Sequence, residues 1–298
     1  MDLFLWLLLI STPTGDYLSE VNSSFSIDLK KLRNFGITDP RSAVARDLIR
    51  SKLLSSDQRL FLSLMASTLL KTALFEPKKK IISAGTLVEE GYLIVSGSLI
   101  GVEGEKIYRF GPGAVLGLAE GMINQPSKLS VVTTTAVQAR LIPFHKVDAI
   151  ISLLPKEMKG ILQTIIKRTL ALSWCRHHIE RGCIMSEFDS QTYTNGATIF
   201  SVGDLAEHLY VIEKGTVDLI NAQAKVFASA YADQSFGEAA ILQGGVRSAG
   251  ARANGNVDCR RISAAEASEL LLIHSPLLIV ILEALLLQQS MQNTLRNP

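Results

Sequence analysis

The chain of 298 residues is long enough for two domains of ordinary size. Its 47% hydrophobic, 19% charged and 6% aromatic residues suit a packed core and exclude a disordered chain. Thirty Lys/Arg against 28 Asp/Glu leave a net charge of +2, so no global basic field points to nucleic acid. Cys175, Cys183 and Cys259 form no CxxC pair; they exclude a disulfide scaffold and favour free thiols and a cytoplasmic location.

Residues 3–10 are almost wholly apolar but fall far short of the ~20 residues that a membrane span needs. With no basic stretch before them, they read as a helix docked on the protein in preference to a cleaved signal. Residues 39–74 place Ala43, Leu48, Ile49, Leu53, Leu54, Leu60, Leu62 and Leu64 at helical spacing, interrupted near Ser55. Either Ser56 or Asp57 is expected to cap the helix that follows. Lys78, Lys79 and Lys80 read as a solvated turn.

An internal repeat organises the rest. Ile81-Ile82-Ser83-Ala84-Gly85 lies over Ile199-Phe200-Ser201-Val202-Gly203 at an offset of 118 positions. The match runs on through Glu89 and Glu207, Tyr92 and Tyr210, and Gly97 and Gly215. At an offset of 120, Gly117 falls on Gly237 and Ala119 on Ala239. Each copy has short glycine-bounded runs such as residues 92–95, 130–135 and 210–212, the pattern of strands in a small barrel or sandwich. Gly97 and Gly215 are expected in turns that need positive φ.

Residues 146–184, broken at Pro155, read as the helices that carry the chain between copies. Within them Trp174-Cys175-Arg176-His177-His178 and Cys183 are a polar helix face; adjacent histidines on a helix point apart and make a poor zinc site. Residues 270–287 are apolar enough to raise the question of a span. They contain His274, Ser275, Pro276 and Glu283, however, so a buried helix pair with Pro276 opening the second helix is the better reading. These breaks give an extension over residues 1–40, a first copy over 41–184 and a second over 185–298.

The second copy carries Phe236-Gly237-Glu238-Ala239, followed by Arg247-Ser248-Ala249. A glycine lets backbone amides approach a phosphate, and a short helix opening at Glu238 aims its positive end the same way. Arg247 offers a bidentate guanidinium, Glu238 accepts from a sugar hydroxyl, and Ser248 donates or accepts beside them. On these residues and on Gly196, Gly203, Tyr210 and Gly215, the chain resembles the cyclic nucleotide-binding domain family over roughly residues 40–298. It departs from the family pattern in Val246 and Gly250. The resemblance implies an α+β fold of two tandem β-roll (jelly-roll-like) domains with flanking helices. It implies ligand contacts at Phe236, Gly237, Glu238, Ala239, Arg247, Ser248 and Ala249, with no catalytic residue, metal or cofactor.

The aligned segment of the first copy has Leu118 in place of the glutamate and Ser127 in place of the arginine, with Lys128 one position later. A vestigial site is expected there, with Glu120 as a substitute acid in the alternative register. The tandem arrangement is similar to regulatory subunits of cyclic AMP-dependent protein kinase. A nucleotide sensor controlling a partner such as a kinase catalytic subunit is therefore the leading reading, and a ligand-free scaffold the alternative. Residues 30–37 have the faint outline of a pseudosubstrate but lack paired arginines. Basic residues are too few after Glu269 for a DNA-binding helix-turn-helix. Cyclic AMP is preferred over cyclic GMP only as the commoner ligand, since residues 263–298 hold no aromatic lid.

Overall fold

The strand-length runs of the sequence become two similar β-rich units, described in a computed structural model over residues 21–37, 39–51, 53–154, 156–170, 188–238 and 245–296. In the first, strand β1 (Ser23–Phe25) precedes helices α1 (Lys30–Asn34), α2 (Ala43–Arg50) and α3 (Ser56–Ala66). Strands β2 (Lys71–Phe75), β3 (Lys80–Ile82), β4 (Gly91–Ser96), β5 (Leu99–Glu103), β6 (Lys106–Phe110) and β7 (Val115–Leu116) follow, then helix α4 (Leu118–Met122). Strands β8 (Ser130–Thr133) and β9 (Val137–Ile142) complete the unit, and α5 (Asp148–Leu153) and α6 (Lys156–Thr169) lead out of it. The second unit comprises β10 (Asp189–Tyr193), β11 (Thr198–Phe200), β12 (His208–Ile220), β13 (Val226–Tyr231), β14 (Ser235–Phe236) and β15 (Gly250–Ser263). Helices α7 (Ala264–His274) and α8 (Pro276–Arg296) end the described chain.

The first unit has a five-stranded sheet ordered β1-β6-β5-β8-β3 and a four-stranded sheet ordered β2-β9-β4-β7. The second gathers the same elements into one sheet, because β12 and β15 run on where their counterparts break into β4–β5 and β8–β9. Register confirms the repeat: Tyr92 pairs with Leu116 in one unit, and Tyr210 with Phe236 in the other. Gly97 (φ +93°) and Gly215 (φ +96°) are also equivalent. A Cβ on either would lie 2.3 Å from a backbone oxygen, that of Ala136 or Asn256. Only glycine meets both the dihedral and the approach. Gly215 is not in a turn, however. It lies within β12 at a register shift, where a bulge lets the long strand bend.

Three other expectations are corrected. Ser55, rather than Ser56 or Asp57, caps α3 in a reciprocal capping box with Gln58. The helical spacing read through residue 74 ends at α3, and residues 71–75 form β2 on β9. The segment assigned to an extension contributes β1 to the first sheet, parallel to β6, so that unit begins before residue 40. Lys78, Lys79 and Lys80 are exposed as expected, but only Lys78 lies in the turn and Lys80 opens β3. The segments holding residues 3–10 and Trp174-Cys175-Arg176-His177-His178 lie outside the described residues. Among the described residues no helix is long and apolar enough to cross a membrane.

Helix α8 joins the two units. It starts at Pro276, after the chain breaks helical geometry at Ser275 (φ −171°). Leu278, Ile281, Leu282, Leu285 and Met291 are buried in the same cluster as Leu93, Ile94 and Phe110 of the first unit. Each such side chain contributes about 1.5–3 kcal/mol of transfer free energy, so the helix is held mainly by apolar burial. Two of its polar side chains meet partners on α3. Ser63 donates to Glu283 at 2.8 and 2.9 Å, and Ser290 donates to Asp57 at 3.0 Å. Burial raises the Glu283 pKa to about 7, opposed by the Ser63 hydrogen bond. The folded state therefore binds a proton that the unfolded chain releases near its ordinary value of 4.5, and stability is lost as pH rises from there to about 7. Glu283→Gln, which keeps an acceptor for Ser63, is expected to raise Tm by several degrees at pH 8 and to change it little at pH 5, measured by thermal unfolding.

Candidate functional site

Four of the residues singled out in the second unit converge: Phe236, Gly237, Glu238 and Arg247. The backbone of Arg247 is fixed first, by Gly203 N–H donating to Arg247 O at 2.9 Å and Arg247 N–H donating to Asp204 O at 2.9 Å. Its guanidinium then turns inward and is 4% exposed. Nη1 donates to Gly237 O at 2.9 Å and Nη2 to His208 O at 2.5 Å. Below it lie the rings of Phe200, Tyr210 and Phe236, with the Arg247 Cζ 3.8 Å from the Phe200 centroid. A Cβ on Gly237 (φ +81°) would stand 2.7 Å from Arg247 Nη1, so the glycine is required by dihedral and by contact.

The electrostatics of this arrangement are unusual. Arg247 forms no ion pair with any described carboxylate, and its Nε–H is buried without an acceptor among the described residues. Burial lowers its pKa, against smaller opposing effects of Tyr210, Glu238, Asp204 and Glu207. A buried donor left unmade costs about 1–3 kcal/mol, and an anion at Nε would recover it. Glu238 is 8% exposed and pairs with Arg168 of α6 instead; Arg168 also donates to Ser235 O. The two charges of the segment thus do not neutralise each other. Ser248 is exposed and Ala249 half-buried. Ala239 and the helix expected after Glu238 lie outside the described residues. The departure at Gly250 has a local reason: a Cβ there would meet Ile220 Cγ1 at 2.8 Å.

The first unit keeps the backbone of this site and loses its side chains. Gly85 N–H donates to Ser127 O at 2.8 Å and Ser127 N–H to Thr86 O at 2.9 Å, the same pair of bonds that frames Arg247. Leu118 is fully buried in the core, and the Ser127 hydroxyl is spent on the Leu129 backbone. Gln288 of α8, 1% exposed, accepts from Ala119 N–H at 2.9 Å and donates to Glu120 at 3.1 Å. Burial raises the Glu120 pKa. A cavity of about 490 Å³ lies beside it, walled in part by Lys128, Glu103, Tyr108 and Arg296. The Arg296 guanidinium is tied to the backbone oxygens of Arg168 and Thr169.

Arg168 and Gln288 were not legible as site residues. One is a basic residue in a helix's last turn and the other lies in a long apolar helix; neither carries a local pattern. Gly237→Ala is expected to lower stability by about 1–3 kcal/mol through positive φ and the displaced guanidinium, read as a shift of the urea midpoint.

Residues 190–274 match the sequence profile of the family described as the cyclic nucleotide-binding domain. The chain is 23% identical over 202 residues to a cAMP-dependent protein kinase regulatory subunit from Eremothecium gossypii, covering 67% of this chain and 43% of the relative. It is 25% identical over 180 residues to the corresponding subunit of Blastocladiella emersonii, covering 59% and 44%. The chain thus spans less than half the length of these curated relatives. Among solved structures, it is similar to the regulatory subunit of a cAMP-independent protein kinase A from Trypanosoma brucei. That match has 17% identity and a TM-score of 0.31, and it covers 76% of this chain and 83% of the other. The part of the second unit over residues 190–274 thus matches the cyclic nucleotide-binding domain profile, in a chain similar over 202 residues to a regulatory subunit of cAMP-dependent protein kinase.

Proposed function

We propose that the second unit binds a cyclic purine nucleotide, with cyclic AMP favoured over cyclic GMP, and that ligand entry acts on the helices joining the units to control a partner such as a protein kinase catalytic subunit. The observation that carries this reading is Arg247: a guanidinium buried against an aromatic stack, held by two neutral carbonyls, with no counter-ion and one donor unused among the described residues. Such a group is costly in an empty fold and well placed to receive a phosphate. Glu238 supplies the acceptor that a ribose hydroxyl needs. In cyclic AMP only the 2′-hydroxyl remains free for it, because the 3′-oxygen is in the phosphate ring. Ligand changes the helices only through unequal affinity for their arrangements.

A ligand-free scaffold is the second reading, favoured by the chain's own side chains at both cassettes, Gln288 in the first unit and Arg168 in the second. Isothermal titration of the full chain with cyclic AMP and cyclic GMP separates the two. Binding weakened at least tenfold by Arg247→Ala is expected, the low end for losing a charged hydrogen bond. Absence of heat and of a thermal shift at millimolar nucleotide would establish the scaffold.

A further inference from the structure

We infer that Arg168 is an internal competitor for the sugar-binding carboxylate, so that nucleotide enters the second unit by displacing a side chain of the helix that leaves the first. The inference rests on the ligand reading above and adds its regulation. Arg168 reaches across from the last turn of α6. It donates to Glu238 Oε1 and to the Ser235 carbonyl, the residues on either side of Phe236-Gly237. The side chains of this ion pair are 9% and 10% exposed, so water offers Glu238 little alternative partner.

The mount of Arg168 gives the competition a consequence. Its own carbonyl and that of Thr169 accept hydrogen bonds from Arg296, at 3.4 and 2.6 Å, near the end of α8. Eight residues earlier on α8, Gln288 holds the Ala119 amide of the first unit. One continuous set of contacts therefore runs from Glu238 through Arg168 to Arg296 and along α8 to the first cassette. A ribose hydroxyl that draws Glu238 away breaks this ion pair and weakens the hold of α6 on the second unit. Linkage makes the effect reciprocal: whatever holds α6 in place weakens the nucleotide.

The competitor is specific to the hydroxyl, and that supplies the test. The full chain, Arg168→Ala and Arg168→Lys are titrated with cyclic AMP and with 2′-deoxy cyclic AMP, which has nothing to offer Glu238. Arg168→Ala is expected to tighten cyclic AMP at least tenfold and the deoxy analogue less than threefold. Arg168→Lys, which keeps the charge but cannot span Glu238 and the Ser235 carbonyl, is expected to fall between, and it serves if the alanine variant does not fold. Cyclic AMP should also speed amide exchange in residues 165–170 of the unsubstituted chain. Equal affinities in all three chains, or equal gains for both nucleotides, overturn the competitor and leave the ligand reading intact. Failure of every chain, including those with Glu238 released, to take up either nucleotide overturns both.

Discussion

A buried charge that pairs with no described carboxylate is the constraint around which the second unit is arranged. Burying the Arg247 guanidinium is tolerable only because every neighbour gives way to it. Gly237 has no side chain to collide with Nη1, His208 and Gly237 turn their carbonyls inward, and Phe200 presents a ring face. Those neighbours are placed in turn by the pairing of β12 with β14, which sets Tyr210 against Phe236 and completes the stack. Removing the charge would leave this geometry without a purpose that packing explains.

The first unit shows what happens when that charge is lost. Its cassette backbone follows the same hydrogen-bond path, yet leucine and serine fill the key positions and Gln288 enters from α8 to satisfy the buried Ala119 amide. The cassette of the first unit is a socket for Gln288 of α8. The two units are consequently not independent beads. Each keeps a core of its own, but Ala206, Leu209 and Ile262 of the second unit join the cluster of the first, and α8 spends its length on the unit it does not belong to in sequence.

The repeat and the cassette were readable because they rest on local demands. Gly97 and Gly215 stand where the backbone needs positive φ, and Gly237, Glu238 and Arg247 keep a fixed spacing that short-range geometry enforces. The break before Pro276 was readable for the same reason. What escaped depends on tertiary contact. Arg168 meets Glu238 across 70 positions of chain, and β1 pairs with β6 at a separation of 85 positions. Among Ser55, Ser56 and Asp57 any is a competent cap, and Gln58, three residues after Ser55, completes the reciprocal box with the first. Residues 71–75 extended a helical spacing by coincidence, while pairing with β9 made them a strand.

Equilibrium dialysis of the full chain against labelled cyclic AMP tests most directly whether a single functional site survives in a duplicated fold. One nucleotide per chain, absent in Arg247→Ala, is the expected result. Two per chain, or one that persists in the variant, would contradict the assignment of binding to the second unit.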